Sequence, residues 1–117
     1  MNIEVLIKTW FDQWEKGNFL DLPITESFKH TSPFGTINGK DEYISLVEKN
    51  KDKFLGYQFK IQEQLFDANK ACVRYKAIQG DFSLDVSEWY YIEGHLIKEI
   101  IAHYHIGEIR DNRKLSD

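Results

Sequence analysis

Residues 24–50, ITESFKHTSPFGTINGKDEYISLVEKN, decide how the rest of the chain is read. Over residues 27–34, Phe28, His30 and Ser32 alternate with Lys29 and Thr31, the period-two pattern of a strand with one face turned inward. Pro33, Phe34 and Gly35 then form a turn. From about residue 40 to 52 the period lengthens. Tyr43, Ile44 and Val47, with Leu46 alongside, make one apolar helical face, and Asp41 and Glu42 fall in the first turn, where negative charge complements the helix dipole. Asn38-Gly39 opens that helix.

Upstream, Ile3, Ile7, Trp10 and Trp14 recur at spacings of three and four, and Leu6 and Phe11 widen the stripe. Asn2 is placed to cap this helix and Gly17-Asn18 to end it, so it spans residues 3–16. Residues 19–22 read as a further single turn closed by Pro23. Downstream the period is two. Tyr57, Phe59, Ile61 and Leu65 form one inward set; Ala71, Val73, Tyr75 and Ala77 a second; Leu84, Val86, Glu88, Tyr90 and Ile92 a third. Turns at Asp67-Ala68-Asn69, Gln79-Gly80-Asp81 and Glu93-Gly94-His95 separate these strands, and a last one runs from Leu96 to Ile106. Helices first and a meander afterwards define an α+β protein whose helices cover one face of an antiparallel sheet.

A chain of 117 residues is sized for one domain. Residues 1–108 are read as that domain and 109–117 as a polar tail. A net charge of −4 without a basic block excludes nucleic acid as the main partner. The single cysteine, Cys72, excludes an internal disulfide and a multi-cysteine metal site. No apolar run approaches roughly 18 residues and the start lacks a leader pattern, so no membrane partner and a cytoplasmic location are expected. Aromatic residues reach 15%, enough to wall a cavity as well as fill a core.

The phrases FDQWEKGNFLDL, SFKHTSPFGTINGKDEYISLV and SEWYYIEGHLIKEIIAHYHIGEI resemble the SnoaL-like branch of the nuclear-transport-factor-2-like superfamily and, within it, the ketosteroid isomerases. The resemblance covers residues 1–108 and implies helices packed on a strongly curved sheet, a cone with an internal ligand pocket, commonly as a homodimer. It also implies a small apolar organic ligand and cofactor-independent acid/base chemistry: isomerisation, cyclisation or dehydration. The alternative is a non-catalytic ligand-binding or dimerisation module.

Glu88 lies among inward apolar residues, where desolvation raises a carboxyl pKa toward neutrality. By resemblance it matches the isomerase carboxylic acid that hydrogen-bonds the substrate oxyanion; the other reading is a structural Glu paired with Tyr, Trp or His. The resemblance places the isomerase general base at Ser32 and its phenol at Trp10; a serine hydroxyl is no base near neutrality and an indole only donates, so ketosteroid isomerase activity is not expected. On the last strand both faces carry apolar residues. The resemblance turns Glu99, Ile101 and His103 inward and so gathers Glu88, His103, His30 and Glu99 as candidate catalytic residues. Trp10, Trp14, Ser32, Tyr57, Tyr75 and Tyr90 are the candidate ligand contacts. His103 and His105 with His30 or Glu99 offer three metal ligands, but no helical histidine pair accompanies them, and no metal site is expected. Trp89 and Tyr91 on the outer face suit a dimer interface, and Arg74, Lys76 and Asp85 a solvated ladder of charges.

Overall fold

In the computed structural model, which describes residues 2–105, the Asn2 side chain accepts the Glu4 amide at 2.7 Å and so caps helix α1, Ile3–Lys16. Gly17 ends the helix with φ 75°, and the amides of Gly17 and Asn18 close onto the carbonyls of Trp14 and Gln13. The helix buries Leu6, Ile7, Trp10 and Phe11. A short 3₁₀ turn, Phe19–Asp21, leads into β1, Ile24–Ser32. Next come β2, Gly35–Asn38, α2, Lys40–Lys49, and the single-turn α3, Lys51–Phe54. The chain continues as β3, Gln58–Phe66, β4, Lys70–Gln79, β5, Phe82–Glu93, and β6, Leu96–His103.

The six strands form one open sheet in the order β2-β1-β6-β5-β4-β3. β1 lies parallel to β6 and every other pair is antiparallel, so the sheet is mixed rather than wholly antiparallel. The parallel pair arises because the chain returns to β1 from the far edge only after β2, α2, α3 and the three strands β3, β4 and β5 have intervened. Residues 35–38, which read as a lead-in to the helix, are a strand that closes a tight hairpin on β1 through Pro33-Phe34. The helix expected over residues 40–52 divides at Asn50, whose buried side chain donates to the Leu46 carbonyl at 2.8 Å. The last turns of that expected helix become α3.

β1 and β3 are four strand spacings apart, roughly 19 Å across a flat sheet at about 4.8 Å per strand. Side chains from both nevertheless line one cavity, so the sheet is strongly curved around the helices. Irregular registers accompany that curvature: Gln62 is unpaired in β3, Lys98 is unpaired in β6, and residues 25–28 of β1 bow out opposite Lys98. The core lies between α1, α2 and the concave face, where Phe28, Val73, Tyr90, Ile97 and Ile100 are fully buried. The end of the last expected strand at Ile106, the domain limit at residue 108 and the polar tail lie outside the described residues.

A Cβ at position 17 would stand 2.7 Å from Leu55 Cδ2 and would force a non-glycine residue into the left-handed region. The backbone strain is about 1–2 kcal/mol. Gly17→Ala is therefore expected to lower unfolding free energy by about that amount in a urea titration, with an unchanged m-value; an unchanged midpoint would contradict this account of the helix end.

Candidate functional site

The concave face encloses a cavity of about 180 Å³, open at one end. Its walls are largely aromatic. Trp10, Phe11 and Trp14 come from α1, Tyr43 from α2, Phe59 from β3 and Tyr75 from β4. The rings pack edge to face at several contacts: Phe11 and Tyr75 stand 4.9 Å apart at 78°, and Phe59 and Tyr75 5.7 Å apart at 79°. Phe34, on the β1–β2 turn, and Tyr104, just past β6, approach to 6.1 Å on the solvent side. A cavity of this size compares with the roughly 150 Å³ voids that accept one benzene ring.

Glu88 sits in the wall with 5% of its surface exposed. Its position follows from the alternation of β5, in which Leu84, Val86, Glu88, Tyr90 and Ile92 all turn inward. The strand register then supplies its partners. Val86 is paired with Tyr75, so Tyr75 is the diagonal neighbour of Glu88 on the same face, and Tyr90 is two residues along β5. The Tyr75 hydroxyl donates to Glu88 Oε2 at 3.0 Å, and the Tyr90 hydroxyl donates to Oε1. Desolvation pushes the Glu88 pKa up from 4.5 to about 7, against the two tyrosine hydrogen bonds, which pull it down. Burial and the neighbouring carboxylate push Tyr75, Tyr90 and Tyr43 well above the usual phenol range.

His30 lies in the same cavity, its ring 5.1 Å from Tyr43 and 6.4 Å from Phe28. Desolvation lowers its pKa from 6.5 to about 4, so near neutrality the ring is uncharged, one nitrogen a donor and the other an acceptor. Tyr43, whose ring packs near His30, feels the Glu88 carboxylate, while desolvation is what moves His30. Ser32, on the same face of β1, accepts the Phe34 amide at 3.2 Å and lies beside the Tyr104 hydroxyl, whose rise from burial it partly offsets. Among the described residues Trp14 Nε1 is buried without a hydrogen-bond partner, which leaves a spare donor in the wall.

Of the candidate catalytic residues, the structure brings Glu88 and His30 together and leaves Glu99 and His103 outside. The unpaired Lys98 shifts the alternation of β6 by one residue. Ile97 is inward, but beyond the bulge Ile100 and Ala102 are buried, and Tyr104 follows them into the cavity. Glu99 faces the opposite side, 3.5 Å from Lys29 Nζ, and His103 is exposed. The expected inward turn of Glu99, Ile101 and His103 is thus corrected by a single bulge. Among the candidate ligand contacts, Trp10, Trp14, Ser32, Tyr57 and Tyr75 line the cavity. Tyr90 does not; it is fully buried behind Glu88.

Tyr43, expected on the apolar face of its helix, and Tyr104 also line the cavity. The hydroxyl of a tyrosine on an otherwise apolar helix face is the signal that marks Tyr43. His30 is turned into the cavity while His103 and His105 are exposed, so the three histidines do not converge. Among the described residues no group of three or more His, Cys, Asp or Glu side chains forms a metal-ligand cluster, and no helix is long and apolar enough to cross a membrane.

No family model and no curated protein matches the sequence. Solved structures do. An NTF2-like protein of unknown function from Cytophaga hutchinsonii superposes with a TM-score of 0.77 at 18% identity, over 90% of this chain and 91% of that one. A candidate ketosteroid isomerase from Kribbella flavida gives 0.73 at 17% identity, over 86% of this chain and 76% of that one. A SnoaL-like protein of unknown function from Burkholderia thailandensis gives 0.69 at 15% identity, over 87% and 93%. The chain has the fold of the nuclear-transport-factor-2-like superfamily, shared by its SnoaL-like and ketosteroid-isomerase-like members. At these identities the likeness concerns the fold alone.

The two shifted groups act on stability in opposite senses. Between pH 4.5 and about 7, folded Glu88 keeps a proton that the unfolded chain releases, so its contribution falls as pH rises. Between pH 6.5 and about 4, the unfolded chain protonates His30 while the folded protein does not, so that contribution falls as pH drops. Over their common window the two slopes offset each other. Glu88→Gln is therefore expected to make the melting temperature drop on acidification from pH 6.5 to 4.5, and His30→Asn to make it drop on raising pH over the same range. Scanning fluorimetry across that range checks both, and parallel profiles for the parent and both variants would contradict the assigned environments.

Proposed function

We propose that the protein is a small-molecule pocket protein in which Glu88 exchanges a proton with a mostly apolar, single-ring ligand. The reaction class is cofactor-independent isomerisation, cyclisation or dehydration. The observation that carries this reading is a carboxyl 5% exposed, with a pKa of about 7, set in the wall of an aromatic cavity. An acid/base group works best when its pKa lies near the working pH. Neutral His30 supplies a second polar contact in the same cavity, able to accept or donate one hydrogen bond to the ligand. The Kribbella neighbour is described as a candidate isomerase, which agrees with the class. A steroid is not the substrate in this reading: the cavity is sized for about one ring, and by the sequence resemblance Ser32 and Trp10 replace the isomerase base and phenol.

A second reading, ligand binding without turnover, is favoured by the two tyrosine hydroxyls that already occupy both oxygens of Glu88. On the outer face of the sheet, Cys72, Trp89 and Ile101 fall in one register row, with Trp89 39% exposed. A homodimer through that face is the assembly we propose with either reading.

Single-ring compounds that raise the melting temperature by mass action identify candidate ligands, and product analysis by mass spectrometry then separates the two readings. Where turnover is found, Glu88→Gln is expected to lower its rate by about 10²-fold or more; a folded variant that keeps the parental rate overturns the catalytic assignment. Sedimentation at micromolar concentration should give a dimer, and Trp89→Lys a monomer; a parental monomer refutes the assembly.

A further inference from the structure

We infer that the polar end of the ligand is a cation: the cavity takes a single-ring ammonium compound, with Glu88 as its counter-ion. This rests on the reading of the cavity as a ligand site and adds the charge of what it holds.

The first support is the composition of the lining. Among the described residues that line the cavity there is no Lys or Arg, and Glu88 is the one acid. A carboxylate or phosphate entering it would be stripped of water beside a group of its own sign, with no counter-charge to offset the loss of hydration. A cation entering the same space meets its counter-ion. The second support is the walls. Trp10, Trp14, Tyr43 and Tyr75 line the cavity, and an ammonium is attracted to the negative faces of such rings, most strongly to tryptophan. The third is the way Glu88 is held. Tyr75 and Tyr90 each aim a hydroxyl at a different oxygen. An ionised carboxylate accepts from both at once, whereas the neutral acid must turn one oxygen into a donor, against one of these hydroxyls. The partners therefore suit the anion, and a bound cation completes the pair.

Among the described residues no other group near Glu88 competes for the role. The titratable side chains facing it or sharing the cavity are Tyr75 from β4, Tyr90 from β5, Tyr43 from α2, Tyr104 past β6, Tyr57 before β3 and His30 from β1. Burial raises Tyr43, Tyr75, Tyr90 and Tyr104, keeping those phenols neutral, and His30, lowered to about 4, adds no positive charge above pH 5. Among the described residues, a ligand cation thus answers to Glu88 alone. With Glu88 near 7 in the free protein, binding below that pH displaces its proton.

The test compares two probes of the same shape on the intact protein, phenyltrimethylammonium and its neutral isostere tert-butylbenzene, with phenylacetate as an anionic third, by ligand-observed NMR from pH 5.5 to 8. The expected result is that the cation binds about tenfold tighter at pH 8, a preference within the range of ring and carboxylate attraction. Its affinity should fall toward pH 5.5 while that of the neutral probe stays level. Glu88→Gln should abolish both the preference and its pH dependence; the comparison on the parent protein stands by itself if that variant does not fold. Equal or tighter binding of tert-butylbenzene, or binding of phenylacetate in preference to both, overturns the cation inference and leaves the ligand site standing. If none of the three probes binds, the ligand-site reading falls with it.

Discussion

The structure depends on keeping one carboxyl out of water. Glu88 lies on the inward face of β5, and no cation lines the space around it among the described residues. An isolated carboxylate in such a place is costly to bury, and the protein meets that cost with hydrogen bonds rather than an ion pair. Tyr75 and Tyr90 are where the pleat and the register put them, two residues along the same strand and one diagonal step across to β4. Neither tyrosine is free to be replaced by phenylalanine without leaving a carboxyl oxygen unpaired in an apolar wall. Much of the aromatic packing follows from these two rings, since Phe11 stands against both of them and Phe59 against Tyr75.

The alternation of apolar residues made β4 and β5 legible from sequence, together with the inward turn of Glu88, because those strands run in unbroken register over ten paired residues. The same rule failed wherever a residue was unpaired. Lys98 carries no signal that distinguishes it from any other exposed lysine, yet its bulge reverses the faces of Glu99 and His103 and brings Tyr104 in. In β3, Gln62 does the same on a smaller scale: Tyr57 and Phe59 line the cavity, but beyond the bulge Leu65 is 71% exposed and Phe66 is half-buried. Period-two reasoning transmits a parity along the strand, and one extra residue inverts everything after it. The parallel pairing of β1 with β6 was not legible either, since it depends on which edges meet after the sheet has curled.

Half of the proposed catalytic set was lost through that inversion, and the half that remains is chemically different from the one expected. A histidine beside a carboxylate would have its pKa raised. His30 instead lies against Tyr43 with desolvation acting on it unopposed, so its pKa falls while that of Glu88 rises. The two groups therefore pass each other: near neutrality the imidazole is uncharged and the carboxyl is partly ionised. Of the two, only Glu88 changes its charge near physiological pH.

The curvature of the sheet explains why a cavity persists where a core would be expected. Strands β1 and β3 face each other across the helices, and the space between them is bridged by rings that meet edge to face. Rigid rings with only two rotatable side-chain bonds leave gaps that flexible aliphatic chains would fill. Small residues deepen the gap at Ala77 on β4, and the strand partner Leu84 does not close it. The fold thus imposes an enclosed volume, while the polar groups that reach it impose its chemistry. In this chain those groups include one acid held by two phenol donors, one neutral imidazole, Ser32 beside Tyr104, and the indole nitrogen of Trp14. A protein sharing the curved sheet but carrying a lysine or an aspartate at any of these positions would enclose the same space with a different preference for charge, and so the likeness in fold to other proteins says little about what each of them binds.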